Sequence, residues 1–361
     1  MRQPEPGTTS STRSRRWCRC SRQTLVVCVA LIAGGAGWFA VRMNRAMRQE
    51  AAVEAIERLH GRAEYGFRHG EKPQQPAWLR NWLGRHFFDS VVAVNLSVIR
   101  ESVNRGRVLP QKPRSGVTDE DLGQLADHLR RMPSLGRLSL SSTRITDAGL
   151  EHLVGVAQLK NLSLTDTAIT DAGMASISRM SSLGHVELGK TAVGDQGLEQ
   201  IQGMTQLRGL GLGETQVTDA GLEQIQALTR LTYLTLYNTK ITDAGLACIE
   251  GMTAMEWLGL DKTQITDAGL EHLSGMQQLE HLSLSGTRIT DAGLEHLKGL
   301  SRLRVLYLSS TQVTDEGVKC FWEMPSLRDV NVAGSQVSKA KDAQIQSLMR
   351  SRRAGDPAYP R

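Results

Sequence analysis

The sequence predicts an α/β solenoid in which strand–turn–helix units stack side by side, and three observations predict it. Leucine, or methionine in its place, recurs every 24 residues. The letters TRITDAGLEHL occur at residues 143–153 and again, six periods later, at residues 287–297. Aromatic residues make up only 4% of the chain, so its core has to be aliphatic. Such recurrence is typical of solenoids, whose units contact only their neighbours. The recurring residues are Leu135, Leu159, Leu183, Leu207, Leu231, Met255, Leu279, Leu303 and Leu327.

The first half of each unit predicts a strand. In residues 135–140, LGRLSL, the apolar side chains alternate around Leu138 and Leu140, which is the periodicity of a half-buried strand. Ile145 adds a further inward side chain after a turn. The threonine of that turn is expected to satisfy backbone groups by hydrogen bonding. It recurs as Thr143, Thr167, Thr191, Thr215, Thr239, Thr263, Thr287 and Thr311.

The second half of each unit predicts a short helix. Thr146 is a good N-cap, and Asp147 places negative charge in the first helical turn. Leu150 and Leu153 then form one apolar face. Gly155 stands where a left-handed C-terminal cap is expected. The same glycine recurs as Gly203, Gly251, Gly275 and Gly299. Each unit is therefore predicted to be a strand, a turn and a helix.

These letters carry a family resemblance. The frame L-x-x-L-x-L-x-x-T resembles leucine-rich repeats, and the helix start I-T-D-A-G-L is similar to the subtype found in F-box-associated proteins and in many bacterial repeat proteins. The resemblance covers residues 135–337 and reaches back to residues 91–122, where VVAVNLS matches the strand and VTDEDL the helix start. The arginine-rich start, SRQTL and AVEAIERLHGRAEY resemble membrane-anchored repeat proteins of planctomycete bacteria. The resemblance implies parallel strands on a concave face and short helices on a convex face.

The N-terminal part predicts a membrane anchor. Residues 24–41 carry no charge and would span about 27 Å as a helix. Trp38 and Phe39 lie near one end of this run, where a membrane interface favours aromatic rings. Six arginines precede the run, whereas the arginines that follow it are soon offset by glutamates. We therefore expect a single-pass protein of the cell inner membrane, with a cytoplasmic N-terminus and extracytoplasmic repeats. The alternative is a signal peptide that is cleaved at residues 34–37.

The organisation predicted for the whole chain has six parts. They are a basic cytoplasmic tail (1–23), a transmembrane signal anchor (24–42), a juxtamembrane helix with an N-terminal cap (43–90), an interrupted first repeat (91–134) with a loop at 98–116, the leucine-rich repeats (135–337), and a C-terminal cap with a basic tail (338–361). In the N-terminal cap, Trp78, Trp82, Phe87 and Phe88 are expected to cover the open end of the core. Residues 343–349 are expected to form a closing helix.

The charge distribution argues against nucleic acid as a partner. Residues 1–23 carry six arginines against one glutamate, and residues 338–361 carry six basic residues against two aspartates. The net charge of +6 therefore belongs to the two ends of the chain, and the body between them is slightly acidic. A nucleic-acid-binding domain needs a basic patch on its folded body.

The sequence contains no pattern that predicts an enzyme, a cofactor site or a metal site. The P-loop, G-x-S-x-G, H-E-x-x-H and paired-cysteine motifs are all missing. His152, His272 and His296 share one repeat position, which indicates a duplicated helix surface. An aspartate opens each predicted helix, and helix capping fits this row better than a calcium ladder, because calcium needs six or more oxygen ligands. The row is Asp147, Asp171, Asp195, Asp219, Asp243, Asp267, Asp291 and Asp315. A methionine row at Met180, Met204, Met252, Met276 and Met324 is expected to fill the core.

Positions that depart from the repeat predict a binding patch on the concave face. Early units carry Ser139, Ser163 and Gly211 between their leucines, whereas later units carry aromatic and charged residues. Exposed aromatic side chains surrounded by charges are typical of recognition sites. The alternative is a shallow sheet that merely tolerates aromatic residues. The predicted patch consists of Tyr233, Tyr237, Glu256, Trp257, Asp261, His281, Arg304 and Tyr307.

The function expected from the sequence is non-catalytic binding of a protein partner, with a glycan as the less favoured ligand. A second hypothesis is a substrate-recognition subunit of a ubiquitin-ligase-like complex, by analogy with F-box repeat proteins. That role requires a helical adaptor-binding segment of about forty residues before the repeats, together with a cytosolic location. Residues 50–90 are too short and irregular for such a segment, and the predicted anchor contradicts a cytosolic location.

Overall fold

The computed structural model describes residues 22–66, 86, 89–97 and 116–354, and for residues 22–35 it describes the backbone alone. The helices are α1 Arg22–Arg58, α2 Asp119–Arg130, α3 Asp147–Glu151, α4 Asp171–Ser178, α5 Asp195–Ile201, α6 Asp219–Gln224, α7 Asp243–Ile249, α8 Asp267–Leu270, α9 Asp291–Leu297 and α10 Lys339–Ala354. Two 3₁₀ helices span Glu271–Leu273 and Gly317–Glu323. The strands are β1 Arg62–Tyr65, β2 Val91–Asn95, β3 Arg137–Ser139, β4 Asn161–Ser163, β5 His185–Glu187, β6 Gly209–Gly211, β7 Tyr233–Thr235, β8 Trp257–Gly259, β9 His281–Ser283, β10 Val305–Tyr307 and β11 Asp329–Asn331.

Within these residues the strands form one sheet of eleven, ordered as they occur in the chain. Strands β2 to β11 are parallel, and from β3 onward each residue pairs with the residue 24 positions later, as Leu138 does with Leu162. The predicted α/β solenoid is therefore confirmed. Strand β1 was not predicted, because its two apolar residues, Ala63 and Tyr65, are too few to establish an alternation. It pairs antiparallel with β2 and covers the first edge of the sheet.

The leucines of the repeat frame pack into one continuous aliphatic core between the sheet and the helices. The central residues of strands β3 to β11 are at most 2% exposed. The predicted methionine row also lies in this core. Burying one such side chain contributes about 1.5–3 kcal/mol. Because each unit is covered by its neighbours, this contribution exists only in the stacked array.

Neighbouring units are joined by a carboxylate clamp, which consists of the aspartate that starts one helix and the residue that precedes the next helix. Between α6 and α7, Oδ1 of Asp219 accepts the N–H of Thr242 at 2.8 Å, and Oδ2 accepts its hydroxyl at 2.6 Å. At Gly194 the backbone N–H alone is donated. The clamps are Asp119–Thr146, Asp147–Thr170, Asp171–Gly194, Asp195–Thr218, Asp219–Thr242, Asp243–Thr266, Asp267–Thr290, Asp291–Thr314 and Asp315–Ser338.

The clamp refines the capping prediction. Thr146 takes the N-cap position of α3, but its hydroxyl donates to Asp119 of the preceding unit and does not cap its own helix. In α4 the hydroxyl of Thr170 serves both purposes, since it donates to Asp147 and accepts the N–H of Ala172 at 3.3 Å. The aspartate row is therefore a line of bonds between units.

The clamp also explains the glycine of the D-A-G-L motif. A Cβ added to Gly245 would collide with Oδ1 of Asp219 in the preceding unit. The same collision with the preceding aspartate would occur at Gly149, Gly173, Gly197, Gly221, Gly269, Gly293 and Gly317. Glycine is unfavourable inside a helix by about 1 kcal/mol relative to alanine, so its recurrence here reflects the space that the carboxylate needs.

The two ends of the clamp series differ from its interior. The first unit has Asp121 at the glycine position, where no earlier carboxylate has to be accommodated. Asp121 forms a capping box with Thr118, whose N–H donates to Oδ2 of Asp121 at 2.9 Å. At the other end, Ser338 donates its N–H to Asp315 at 2.7 Å, and hydrogen bonding by Ser338 lowers the pKa of this aspartate. Lys339 stands where an interior unit has aspartate.

The expected left-handed caps at Gly155, Gly203, Gly251, Gly275 and Gly299 are wrong, because none of these glycines has positive φ. The left-handed residue lies instead in the turn after each of strands β3 to β11, directly before the turn threonine or, in the last unit, before Ser335. It is Ser142, Asp166, Lys190, Glu214, Asn238, Lys262, Gly286, Ser310 and Gly334, with φ between 53° and 75°. In this conformation the residue donates its N–H to the next unit, as Ser142 does to the carbonyl of Thr165 at 2.8 Å.

The predicted role of the turn threonine is confirmed. Thr143 is buried, and its hydroxyl donates to the carbonyl of Leu140 at 2.6 Å. The equivalent bond occurs in all eight units that carry this threonine, at 2.5–2.7 Å. Each bond gives a donor to a backbone carbonyl at the end of the strand, and at Leu260 and Leu284 the threonine N–H donates to the same carbonyl as well.

The predicted anchor lies within α1, but the side chains of residues 22–35 are outside the described part. Across the residues that the structure describes, no helix combines the length and the apolar character needed to cross a membrane. Helix α1 ends at Arg58 and is followed by His60 in the left-handed conformation.

Both predicted caps can be compared with the structure only in part. Trp78, Trp82, Phe87 and Phe88 of the N-terminal cap lie outside the described residues, as do residues 98–115 of the predicted loop. At the other end, α10 is longer than the predicted closing helix of residues 343–349. Ile345 and Met349 of α10 are buried against the last unit.

The clamp predicts that Gly245 and Asp219 are energetically coupled. Gly245→Ala should lower the free energy of unfolding by about 2 kcal/mol, because the added methyl group collides with the carboxylate. Asp219→Ala should lower it by about 2 kcal/mol, because two hydrogen bonds to a charged group are lost. In the Asp219→Ala background, Gly245→Ala should be neutral or stabilising, since alanine favours the helix. Guanidinium unfolding of the four chains measures this cycle.

Gly251→Ala is the matched control, because a Cβ at Gly251 would meet no atom within 4 Å. This variant should unfold at the same guanidinium concentration as the parent chain or slightly above it. Additive effects of Gly245→Ala and Asp219→Ala would show that the clamp does not account for the glycine.

Candidate partner-binding surface

The concave face presents the first and third residues of each strand. The first residues form a row that runs Arg137, Asn161, His185, Gly209, Tyr233, Trp257, His281, Val305 and Asp329. Neighbouring positions in such a row are about 4.8 Å apart, so side chains from adjacent strands touch. The surface is therefore determined by residues that the repeat frame leaves free.

Strand β6 and the turn after it carry glycine at every concave position, in the sequence GLGLG. A Cβ on Gly209 would collide with the ring of His185, and a Cβ on Gly211 with the carboxylate of Glu187. A Cβ on Gly213 would collide with the ring of Tyr237. Side chains from β5 and from the turn after β7 thus lie over the bare backbone of this unit. The three glycines form a recess in the face.

This recess allows three rings to stack across four strands. The ring of His185 on β5 lies 5.1 Å from that of Tyr233 on β7, centroid to centroid. Tyr233 lies 4.4 Å from Trp257 on β8, with an angle of 33° between the two rings. His185 can reach Tyr233 only because Gly209 between them has no side chain. We call His185, Tyr233 and Trp257 the aromatic stack.

Glu187 fixes the polar end of the aromatic stack. Its Oε1 lies 2.8 Å from Nε2 of His185, and both side chains are half-buried. The pKa of Tyr233 is raised well above the ordinary value of 10.0, because burial disfavours the phenolate and the negative charge of Glu187 repels it. Tyr233 is therefore neutral at physiological pH, and its hydroxyl hydrogen-bonds with the side chains of Glu187 and Thr235.

A second hollow of about 340 Å³ lies on the far side of Trp257. Asp261 and Tyr307 line it together with Trp257, and Tyr307 is 39% exposed. Asp261 accepts hydrogen bonds from the hydroxyl of Ser283 and from the N–H of Ser285. This carboxylate is held in a fixed position on the wall of the hollow.

The structure divides the predicted patch into smaller groups. Tyr233 and Trp257 stack, but both are half-buried, whereas exposed rings were expected. Tyr237 lies over Gly213, and Arg304 is 3.8 Å from Glu280. Trp257, Asp261 and Tyr307 line the hollow of about 340 Å³. His281 follows Trp257 in the row of first strand residues, and Glu256 is exposed beside Trp257. Their role in binding stays a prediction.

Sequence reasoning missed His185 and Glu187. The prediction relied on exposed aromatic residues, whereas these two side chains matter because the next unit has glycine at positions 209 and 211. The available signal was GLGLG at residues 209–213, the only unit of this array with three alternate glycines. A glycine at a concave position allows side chains two strands apart to meet.

His272 and the aspartates of the row are used for structure in the described part of the chain. His272 pairs with Glu250 at 3.0 Å on the helical side, and each aspartate of the row takes part in a clamp. In the same residues, no group of three or more histidine, cysteine or acidic side chains is placed to hold a metal ion.

Comparison with known proteins places this geometry in a family. A family model described as a leucine-rich repeat region matches residues 158–355, and a second model, a leucine-rich repeat, matches residues 131–154. No curated protein matches the chain. The parallel concave strands and convex helices define the class of leucine-rich repeat solenoids. The chain belongs to the leucine-rich repeat family, as the sequence predicted.

Solved structures of similar proteins include two internalins and a third bacterial protein. An internalin from Listeria monocytogenes is 21% identical, with 64% of this chain and 87% of that chain covered and a TM-score of 0.44. Internalin C2 from the same species is 23% identical, with 54% and 84% covered and a TM-score of 0.44. A leucine-rich repeat protein from Leptospira interrogans is 19% identical, with 64% and 67% covered and a TM-score of 0.45.

The raised pKa of Tyr233 predicts a specific alkaline titration. The absorbance of phenolate near 295 nm, taken as the difference between the parent chain and Tyr233→Phe, should rise well above pH 10. Because the folded pKa exceeds the unfolded value, the stability that Tyr233 contributes is present below pH 10 and is lost as the pH rises through the folded pKa. In Glu187→Gln the titration should shift to lower pH. A difference titration centred on the ordinary value, or one unaffected by Glu187→Gln, would contradict this account.

Proposed function

We propose that this protein is a membrane-anchored interaction module that binds a protein partner on its concave face. Leucine-rich repeat proteins act in general as non-catalytic interaction modules. The observation that supports a binding site here is the aromatic stack, which lies above the glycine recess on the open sheet. Large rings held in place before binding lose little conformational entropy when a partner arrives.

The proposed anchor is the segment of residues 24–42. Its support is the charge-free run of residues 24–41 with arginines before it. A single helix of this kind would hold the repeats outside the inner membrane, with residues 1–23 in the cytoplasm. The partner would then be a protein that is present on the outer side of that membrane.

The aromatic stack predicts that substitutions in it weaken partner binding without destabilising the fold. Tyr233→Ala combined with Trp257→Ala, in the full chain in a neutral detergent, should reduce partner capture at least about tenfold. The unfolding midpoint should change little, since both side chains are half-buried on the surface of the sheet and lie outside the aliphatic core. Capture can be measured by pull-down with the full chain, followed by identification of the bound species.

The control is Trp322→Ala, which removes an exposed ring from the last 3₁₀ helix, away from the concave face. It should leave capture unchanged. Equal capture by the parent chain and by the double variant would remove the aromatic stack from the proposed site.

The proposed location can be tested by adding protease to cells whose outer membrane has been removed and whose inner membrane is intact. Digestion of the repeats from outside, with residues 1–23 protected, is the result expected for an extracytoplasmic module. Full protection of the repeats would place them in the cytoplasm. That result would favour the alternative of a ubiquitin-ligase-like substrate receptor.

A further inference from the structure

Another hollow on the concave face, distinct from the one beside Trp257, adjoins the aromatic stack and has a different chemical character. Its volume is about 520 Å³, and it lies at the amino ends of strands β4 to β7. Lys160 and Arg208 line it on two sides, and His185 and Tyr233 form the wall that it shares with the aromatic stack. We call it the basic hollow.

Gly184 creates the space between the two cations. In the repeat it stands between Lys160 and Arg208, so these side chains are two strands, or about 10 Å, apart. A Cβ on Gly184 would meet only the carbonyl oxygen of Lys160, at 3.9 Å. Gly184 therefore leaves the space between these two side chains open.

The two cations are not neutralised by the protein. Among the described residues, neither Lys160 nor Arg208 makes a side-chain hydrogen bond or an ion pair, and no aspartate or glutamate lines the hollow. Elsewhere on this face the basic side chains have acidic neighbours, such as Glu64 beside Arg137 and Glu280 beside Arg304. An uncompensated positive site on a slightly acidic body is complementary to an anionic ligand.

The ring that borders the basic hollow, Tyr233, favours a peptide over a glycan at this hollow. Tyr233 has His185 against one face and Trp257 against the other, since these residues come from strands on opposite sides of β7. Its two faces are therefore occupied, and a ligand in the basic hollow would meet the ring at its edge. An edge accepts a carboxylate or packs against another aromatic side chain, whereas a sugar ring stacks on an open face.

The chain itself supplies no suitable occupant from its predicted loop. Residues 98–115 carry five basic residues against one glutamate, and this charge repels the basic hollow. The C-terminal residues 338–361 are basic as well. The charge of the hollow therefore selects a ligand from another molecule.

We propose that the basic hollow and the aromatic stack together bind an acidic peptide segment of the partner. One carboxylate lies between Lys160 and Arg208, and a neighbouring aromatic side chain of the peptide packs against the stack. This inference rests on the proposed function of partner binding at the concave face, and it names the chemistry of the partner.

The test uses the full chain in a neutral detergent and a pair of synthetic peptides. In one peptide a phenylalanine is flanked on both sides by glutamates, and in the other each glutamate is replaced by glutamine. The acidic peptide should bind at least about tenfold more tightly, and added salt should weaken its binding. Fluorescence anisotropy of the labelled peptides measures both affinities. Equal affinity, or no binding of either peptide, would overturn the proposal.

Variants at Gly184 give a matched comparison. Gly184→Glu places a carboxylate between the two cations, where it should compete with the peptide and weaken binding about tenfold. Gly184→Gln has the same size without the charge and should bind more tightly than Gly184→Glu. Lys160→Glu with Arg208→Glu should abolish the preference for the acidic peptide. If Gly184→Glu and Gly184→Gln bind alike, the two cations do not hold the carboxylate.

Two further outcomes separate this inference from the proposed function. In the first, capture of the partner is lost in the Tyr233→Ala, Trp257→Ala chain but kept in the Lys160→Glu, Arg208→Glu chain. That result would support partner binding at the concave face and contradict the proposal of an acidic peptide ligand. If a sulfated glycan such as heparin binds and the acidic peptide does not, the hollow accepts an anionic glycan and the proposal fails.

Discussion

No unit of this protein can bury its own leucines, and the whole structure depends on that constraint. A strand and a short helix enclose too little volume to exclude water from both sides of the core, so each unit relies on the next. Burial supplies most of the free energy, while the carboxylate clamps set the distance and orientation at which neighbours meet. Aspartate, glycine and threonine recur together because one carboxylate needs a donor in the next unit and an empty space beside it.

The frame was predictable because it repeats, and much of the binding surface was not. The alternation in LGRLSL, the turn threonine and the row of methionines each identified their place in the core. The clamp escaped detection because it joins residues in different units, and sequence spacing within one unit cannot reveal it. The glycine after each helix resembled a left-handed cap, but the residue with positive φ lies in the turn after the strand. Strand β1 has too few apolar residues to predict.

In the candidate site, the large side chains were predictable from the sequence, and the effects of missing side chains were not. Tyr233 and Trp257 were found because they are large aromatic residues at concave positions of the strands. His185 and Glu187 were missed because their importance comes from Gly209 and Gly211 in the next unit. The basic hollow likewise depends on Gly184, which separates Lys160 from Arg208. On a repetitive sheet, a missing side chain shapes the surface as much as a bulky one.

The two ends of the clamp series limit how this protein can change in length. Asp121 closes the first unit and Lys339 stands after the last clamp, so neither end offers a new partner for a further helix. Duplication or loss of sequence is tolerated only between them and only in whole periods, because a partial unit would leave a carboxylate facing no threonine. Since the interior junctions all use the aspartate clamp, such events would move the recess along the array without rebuilding it. The number of repeats and the recess can therefore change independently in evolution.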